Sequence, residues 1–87
     1  MSYTFVWDQD ARRSLDSLPK DVVVRILTKL NSITENPHHF LEKRKDLPGY
    51  KLRIGDYRVI LDILYDKRIL WIWVVGHRKK IYKNLRE

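Results

Sequence analysis

The sequence predicts a single α+β domain built from an N-terminal strand, a helical hairpin, a three-stranded antiparallel meander and a short C-terminal helix. Three observations predict this fold. A Gly55-Asp56 pair separates two β-favouring runs, a one-sided apolar stripe precedes them, and the continuous apolar run 69–75 follows them. The chain has 87 residues, which is enough for one modest core, so we expect residues 1–87 to form one domain.

The first half of the chain predicts a strand and two helices. Residues 3–7 are aromatic and β-branched, as is typical of a strand. Asp8 is a suitable N-cap for a short helix, whose apolar side would carry Ala11, Leu15 and Leu18. Pro19 suits the first turn of a second helix. Its apolar stripe recurs at helical spacing and consists of Val23, Ile26, Leu27, Leu30 and Ile33.

The second half predicts a loop, three strands and a final helix. Asn36 and Pro37 end the second helix, and residues 38–49 show no periodicity, which indicates a surface loop. The run 69–75 is apolar on both faces and predicts a central or covered strand. Residues 78–86 predict a short helix on which Arg78 and Tyr82 are neighbours.

The stretch YKLRIGDYR, residues 50–58, predicts a hairpin with a defined register. Glycine at the first of two turn positions is typical of a type II′ turn. With Gly55 and Asp56 as the turn, the facing pairs are Ile54 with Tyr57, Arg53 with Arg58, Leu52 with Val59, and Lys51 with Ile60. Alternation then places Lys51, Arg53 and Arg58 on one face, here called the cationic face. Because like charges repel across a strand pair, an anionic ligand is expected there.

Composition limits the possible functions. Lys and Arg outnumber Asp and Glu by 18 to 11, and the resulting charge of +7 favours a polyanionic partner such as nucleic acid. The chain has no cysteine, which excludes disulfides and thiolate chemistry and suits a reducing compartment, so we expect a cytoplasmic protein. The longest apolar run is too short to cross a bilayer, and we expect no membrane association.

The common enzyme signatures are missing from the sequence. It contains no Gly-rich phosphate loop, no spaced His and carboxylate set, and no hydrolase serine motif. His38 and His39 are adjacent, which favours a solvated loop over metal binding. His77 precedes Arg78 and is a secondary candidate. We therefore expect neither a metal nor another cofactor.

The basic residues could serve metal-independent RNA cleavage. The 2′-hydroxyl attacks the neighbouring phosphate, which requires a proton acceptor, cations for the phosphorane charge and a donor for the departing oxygen. Lys51, Arg53, Arg58 and Arg78 would surround one phosphate. Two alternatives stay open: Asp62 would neutralise Arg58, and Tyr82 would pack in the core instead of stacking on a base.

The segments YKLRIGDYRVIL and VGHRKKIY, in this element order, resemble the RelE branch of the RelE/ParE toxin superfamily over nearly the whole chain. The resemblance implies a toxin of a type II toxin-antitoxin system. Such an enzyme enters the ribosomal A site, cleaves the messenger RNA there, and is silenced by a cognate RelB-like antitoxin encoded beside it. The resemblance also implies a RelE-like domain fold.

By position, the resemblance assigns roles to five residues. Lys51 and Arg53 match basic residues of the catalytic surface, Arg58 the phosphate-binding arginine, Arg78 an acid or charge stabiliser, and Tyr82 the tyrosine that stacks on or orients the substrate. Further basic residues are predicted to contact RNA: Lys43, Arg44, Lys45, His77, Lys79, Lys80 and Lys83.

The proton acceptor is left open. Arg53 stands where relatives have lysine, and an arginine that stays protonated is a poor base. Lys51 is preferred over Tyr82 and His77. Two other functions also remain: a ParE-like inhibitor of DNA gyrase that is not a nuclease, and a relative that binds RNA without cleaving it.

Overall fold

A computed structural model describes residues 2–45 and 47–85, with side chains as far as Ile81. In those ranges the elements are β1 (Thr4–Trp7), α1 (Gln9–Asp16), α2 (Lys20–Ser32), α3 (Pro37–Phe40), β2 (Glu42–Lys43), β3 (Tyr50–Ile54), β4 (Tyr57–Leu64), β5 (Ile69–His77) and α4 (Arg78–Leu85). No helix within the described ranges is both long enough and apolar enough to span a bilayer.

All five strands form one sheet in the order β1-β5-β4-β3-β2. Strand β1 runs parallel to β5, with Thr4 opposite Ile69 and Trp7 opposite Ile72. The β3-β4-β5 meander is antiparallel. The predicted α+β fold is therefore confirmed, and β5 lies in the interior of the sheet, as its apolar sequence predicted.

Helices α1 and α2 cover one face of the sheet and enclose the core. The helices contribute Ala11, Leu15, Val22, Ile26, Leu30 and Ile33. The strands contribute Leu52, Ile54, Val59, Leu61, Ile63, Leu70, Ile72 and Val75. We call this side of the sheet the core face, and the cationic face lies opposite.

The apolar stripe of α2 is rotated relative to the prediction. Val22, Ile26 and Leu30 are buried, whereas Leu27, which was predicted to belong to the stripe, is 40% exposed. A helix advances about 100° per residue, so a stripe centred on Ile26 turns Leu27 toward its flank. The prediction for Leu27 was wrong because the buried stripe runs through Val22, Ile26 and Leu30.

The predicted loop 38–49 contains two short elements. Pro37 occupies the first turn of α3, where its fixed φ suits a helix start. Strand β2 pairs with β3 and places Glu42 opposite Lys51 and Lys43 opposite Tyr50. A two-residue strand is too short to show alternation, and charged residues are common on edge strands.

Candidate active site

The predicted register of the β3–β4 hairpin is confirmed at every pair. Arg53 lies opposite Arg58, and Lys51 lies opposite Ile60. Gly55 has a φ of +59°, as the first position of a II′ turn requires. Because the core face receives Leu52, Ile54 and Val59, the alternating cations share the other face.

The two opposed arginines occupy different environments. Arg53 is exposed, whereas Arg58 is only 4% exposed. Arg58 Nη1 donates hydrogen bonds to the carbonyl oxygens of Gly55 (2.7 Å) and Tyr57 (2.8 Å), and its buried Nε has no hydrogen-bond partner. Neither an ion pair nor a hydrogen bond joins Arg58 to Asp62, both of which are described; Asp62 Oδ1 instead accepts from the Ile63 amide at 2.8 Å. Arg58 thus braces the turn and is not on the accessible surface.

Helix α4 packs over the ends of β4 and β5 that lie beside the β3–β4 turn. Its Ile81 is 2% exposed, and a Cβ built on Gly76 would lie 3.5 Å from Ile81 Cγ1. Gly76 is the cross-strand partner of Arg58, so α4 covers the sheet beside this arginine. The side chains of Tyr82 and Lys83, predicted for substrate and RNA contact, lie outside the described residues.

Arg78 is held at the hairpin turn. Its backbone N–H donates to the Asp56 carbonyl oxygen at 2.8 Å, and its Nε lies 3.8 Å from Asp56 Oδ1. Its side chain is about half exposed. The fold therefore brings Arg53, Arg58 and Arg78 to one end of the sheet, with Lys51 two residues further along β3.

His77 lies on the opposite side of the sheet from these cations. It pairs with Tyr57 on the core face, and the two rings meet edge-on at 5.5 Å. His77 Nδ1 accepts a hydrogen bond from the Lys79 amide at 3.2 Å. An accepting nitrogen carries no proton, so neutral His77 carries its proton on Nε2. His77 and Lys80 line a cleft of about 440 Å³ between the end of α1 and α4.

The other predicted RNA contacts are dispersed. Lys43 shares the core face with its partner Tyr50, so it points away from Lys51. Arg44 Nη1 donates to the Pro48 carbonyl oxygen at 3.2 Å. Three exposed lysines remain on the surface, Lys45, Lys79 and Lys80. The residues predicted to contact RNA therefore do not all lie on the cationic face.

Glu42 is the residue that sequence reasoning missed. Its position opposite Lys51 places an exposed carboxylate on the cationic face. The short β2–β3 pairing has only one signal in the sequence, Gly49, whose φ of +94° lets the chain turn back. Within the part of the chain that is described, no group of three His, Asp or Glu side chains is arranged to hold a metal ion.

An aromatic cluster lies at the sheet end remote from the turn. The hydroxyls of Tyr50 and Tyr65 are 3.2 Å apart, and His38 stacks on Tyr65 with 5.3 Å between the ring centroids. The hydrogen bond to Tyr50, followed by burial, raises the pKa of Tyr65 to about 12. His38 is exposed, as expected for a solvated position, but it lies in α3 and has aromatic partners.

Residues 5–82 match the family described as ParE toxin of type II toxin-antitoxin system, parDE. The chain belongs to this toxin family. No curated protein matches the toxin's sequence. The resemblance to the RelE/ParE superfamily is thereby confirmed.

Solved structures similar to the toxin carry the RelE name. The Mycobacterium tuberculosis RelBE2 toxin-antitoxin complex has a chain with 26% identity and a TM-score of 0.80, covering 90% of this chain and 100% of that one. A chain of the Pyrococcus horikoshii RelE–RelB complex has 27% identity and a TM-score of 0.71, and the match covers 90% of this chain and 97% of that one. A mutant of Escherichia coli RelE in the free state has 26% identity and a TM-score of 0.77, and the match covers 95% of this chain and 93% of that one.

Proposed function

We propose that the toxin is a metal-independent endoribonuclease that cleaves messenger RNA in the ribosomal A site and thereby inhibits translation. The observation that carries this proposal is that Arg53, next to the hairpin turn, and Arg78, held near Asp56 of that turn, lie at the same end of the sheet as the buried Arg58. Such paired donors match the oxygens of one phosphate, and a charged phosphorane needs them most.

The reaction assigns a task to each cation. The 2′-oxygen forms a bond to phosphorus while the bond from phosphorus to the 5′-oxygen breaks, which leaves a 2′,3′-cyclic phosphate and a 5′-hydroxyl. Arg53 and Arg78 donate to the phosphate oxygens as negative charge grows. Lys51 contributes a third positive charge, and Arg58 holds the turn in place from below. Tyr82 stacks on a base or orients the 2′-hydroxyl.

An antitoxin is the proposed partner. Two of the similar structures are RelB–RelE complexes, and a RelB-like antitoxin with acidic residues would complement the +7 charge of this chain. An amphipathic helix would cover the cationic face or displace α4. A toxin that acts on ribosomes works in the cytoplasm, without membrane association.

Programmed ribosomes test the proposed activity. Purified toxin is added, and cuts in the messenger are mapped by primer extension. We expect cuts within the A-site codon that weaken strongly in Arg53→Ala and Arg78→Ala. Lys67→Ala removes an exposed cation from the remote β4–β5 turn and should cut like the unmodified toxin. Intact messenger, or undiminished cutting by both arginine variants, contradicts the proposal.

Inhibition of DNA gyrase is the second candidate, because the matching family carries the ParE description over residues 5–82. This function does not require the arginines at the turn. Loss of supercoiling activity in a gyrase assay, with messenger left intact on ribosomes, would favour it. RNA binding with steep salt dependence and no cleavage products would instead favour a non-catalytic relative.

A further inference from the structure

The cleavage reaction needs a group that takes the proton of the 2′-hydroxyl, and the cations at the turn are unsuited to this task. Arg53 and Arg78 carry guanidinium groups, which have no acceptor and stay protonated in proteins. An ammonium such as that of Lys51 has no lone pair until it loses a proton. A carboxylate or an imidazole, unlike these cations, already holds a lone pair that can take the proton.

His77 does not meet the requirement in this fold. Its Nδ1 is occupied by the Lys79 amide, and Nε2 therefore bears the proton of the neutral ring. The ring also pairs with Tyr57 on the core face, across the sheet from Arg53. Accepting a further proton would break the bond at the start of α4.

Three carboxylates lie on the cationic face or at its turn within the described residues, and two of them are engaged. Asp56 Oδ1 is 3.8 Å from Arg78 Nε. Asp62 is half-buried and accepts from the Ile63 amide. Glu42 is exposed and directly opposite Lys51. Unlike those of Asp56 and Asp62, the Glu42 side chain has no hydrogen bond or ion pair with any residue in the described ranges.

We propose that Glu42 is the general base of RNA cleavage, an inference that rests on the proposed ribonuclease function. Residues directly opposite in an antiparallel pair have Cβ atoms about 4.5–5.5 Å apart, so Glu42 and Lys51 reach the same sugar-phosphate unit. Lys51 steadies the phosphate while the neighbouring carboxylate receives the proton. Glu42 is the catalytic residue and Lys51 its electrostatic partner.

The proton and electron pairs balance without a further reactant. A Glu42 carboxylate oxygen takes the 2′-hydroxyl proton as the 2′-oxygen attacks phosphorus. The 5′-oxygen leaves with the electrons of its bond to phosphorus and takes a proton from solvent water. Glu42 then releases its proton to solvent, which restores the carboxylate.

A purely structural role for Glu42 makes a different prediction. In that role its charge pairs with Lys51 and holds the two-residue strand β2, so neutralising Glu42 would lower stability and leave the pH dependence of cleavage unchanged. A general base must be deprotonated, so cleavage falls at acidic pH. The charged groups that face Glu42 are Lys51 and Arg53 on β3 and Asp62 on β4.

The experiment compares cleavage on programmed ribosomes by Glu42→Gln, Glu42→Asp and Glu42→Ala, with Glu35→Gln as an exposed carboxylate control. We expect Glu42→Gln to cut about 10²- to 10⁴-fold more slowly, to bind ribosomes normally and to lose the acidic limb of the pH–rate profile. Glu42→Asp keeps that limb. Added formate restores cutting to Glu42→Ala, which a structural role would not allow.

The possible failures are separable. If the unmodified toxin does not cut, the proposed ribonuclease function fails. If it cuts and Glu42→Gln matches it in rate and pH profile, the function stands and the assignment of Glu42 is wrong. Glu42→Gln could also cut slowly because it is unfolded. In that case formate is added to the folded fraction of Glu42→Ala. Restored cutting supports Glu42 as the general base, and a lack of restored cutting overturns that assignment.

Discussion

Arg53 and Arg58 face each other across the β3–β4 hairpin, and one guanidinium is exposed while the other is buried against the carbonyl oxygens of the turn. The repulsion expected between opposed cations is reduced because Arg58 bends toward the turn. One arginine is thus free to meet a ligand, and the other holds the segment that carries it.

Replacing the two arginines should separate these roles. Arg58→Ala leaves two turn carbonyls without a donor and should lower the free energy of unfolding by about 1–3 kcal/mol. Arg53→Ala, an exposed change in the same hairpin, should alter it by less than about 0.5 kcal/mol. Urea denaturation followed by tryptophan fluorescence measures both. Equal effects of the two substitutions would contradict the assigned environments.

Gly49 is predicted to resist substitution. Its φ is +94°, and an added Cβ would lie 2.9 Å from the Leu61 carbonyl oxygen, a backbone atom. Gly49→Ala should therefore reduce stability by about 1–3 kcal/mol through backbone strain and this contact. Gly76→Ala is the control, since its Cβ would meet Ile81 Cγ1 at 3.5 Å, an ordinary contact. Thermal unfolding should show a clearly lower midpoint for the Gly49 variant only.

Tyr65 should ionise at a higher pH than an ordinary tyrosine. Its pKa is raised from 10.0 to about 12, first because of the hydrogen bond with Tyr50. The neutral phenol is the favoured form in the fold, so this stabilisation is complete below pH 10 and is lost as pH rises through about 12. A pH titration followed by phenolate absorbance should show one tyrosine that ionises at a higher pH than the others. Tyr50→Phe should shift that titration toward pH 10, whereas Tyr57→Phe should leave the late titration in place.

Asp56 competes with a ligand for Arg78. The pair is exposed at 3.8 Å, so Asp56→Asn should change stability by less than about 1 kcal/mol. Freed from Asp56, Arg78 should bind a short RNA more tightly and with a steeper salt dependence. Asp66→Asn, in the remote β4–β5 turn, produces the same change in net charge. An equal gain in both variants would show that net charge, and not Arg78, is responsible.

The hairpin was predictable because two kinds of local information agree in it. The Gly55-Asp56 turn sets the register, and strict alternation sets the faces, so the placement of Lys51 and Arg53 could be read from the sequence. The burial of Arg58 could not, because it depends on where a long side chain finds carbonyl oxygens. The catalytic roles of these residues remain predictions.

Glu42 was missed for a different reason. Strand β2 has two residues, too few to show a period, and its pairing partner lies beyond a turn that only Gly49 indicates. The same limit applied to Leu27. A shift of the buried stripe of α2 by one residue determines whether Leu27 faces the core or the solvent. Short elements and helix phase depend on tertiary contacts that periodicity alone does not contain.

The parallel pairing of β1 with β5 has a consequence for synthesis of the chain. Phe5 lies opposite Leu70, so β1 leaves the ribosome long before its partner strand β5 has been made. Closing so long a loop is entropically costly and tends to slow folding. A nascent or truncated chain that lacks β5 cannot complete the sheet or anchor Arg78 at the turn. The toxin would therefore complete its sheet only after β5 has been synthesised.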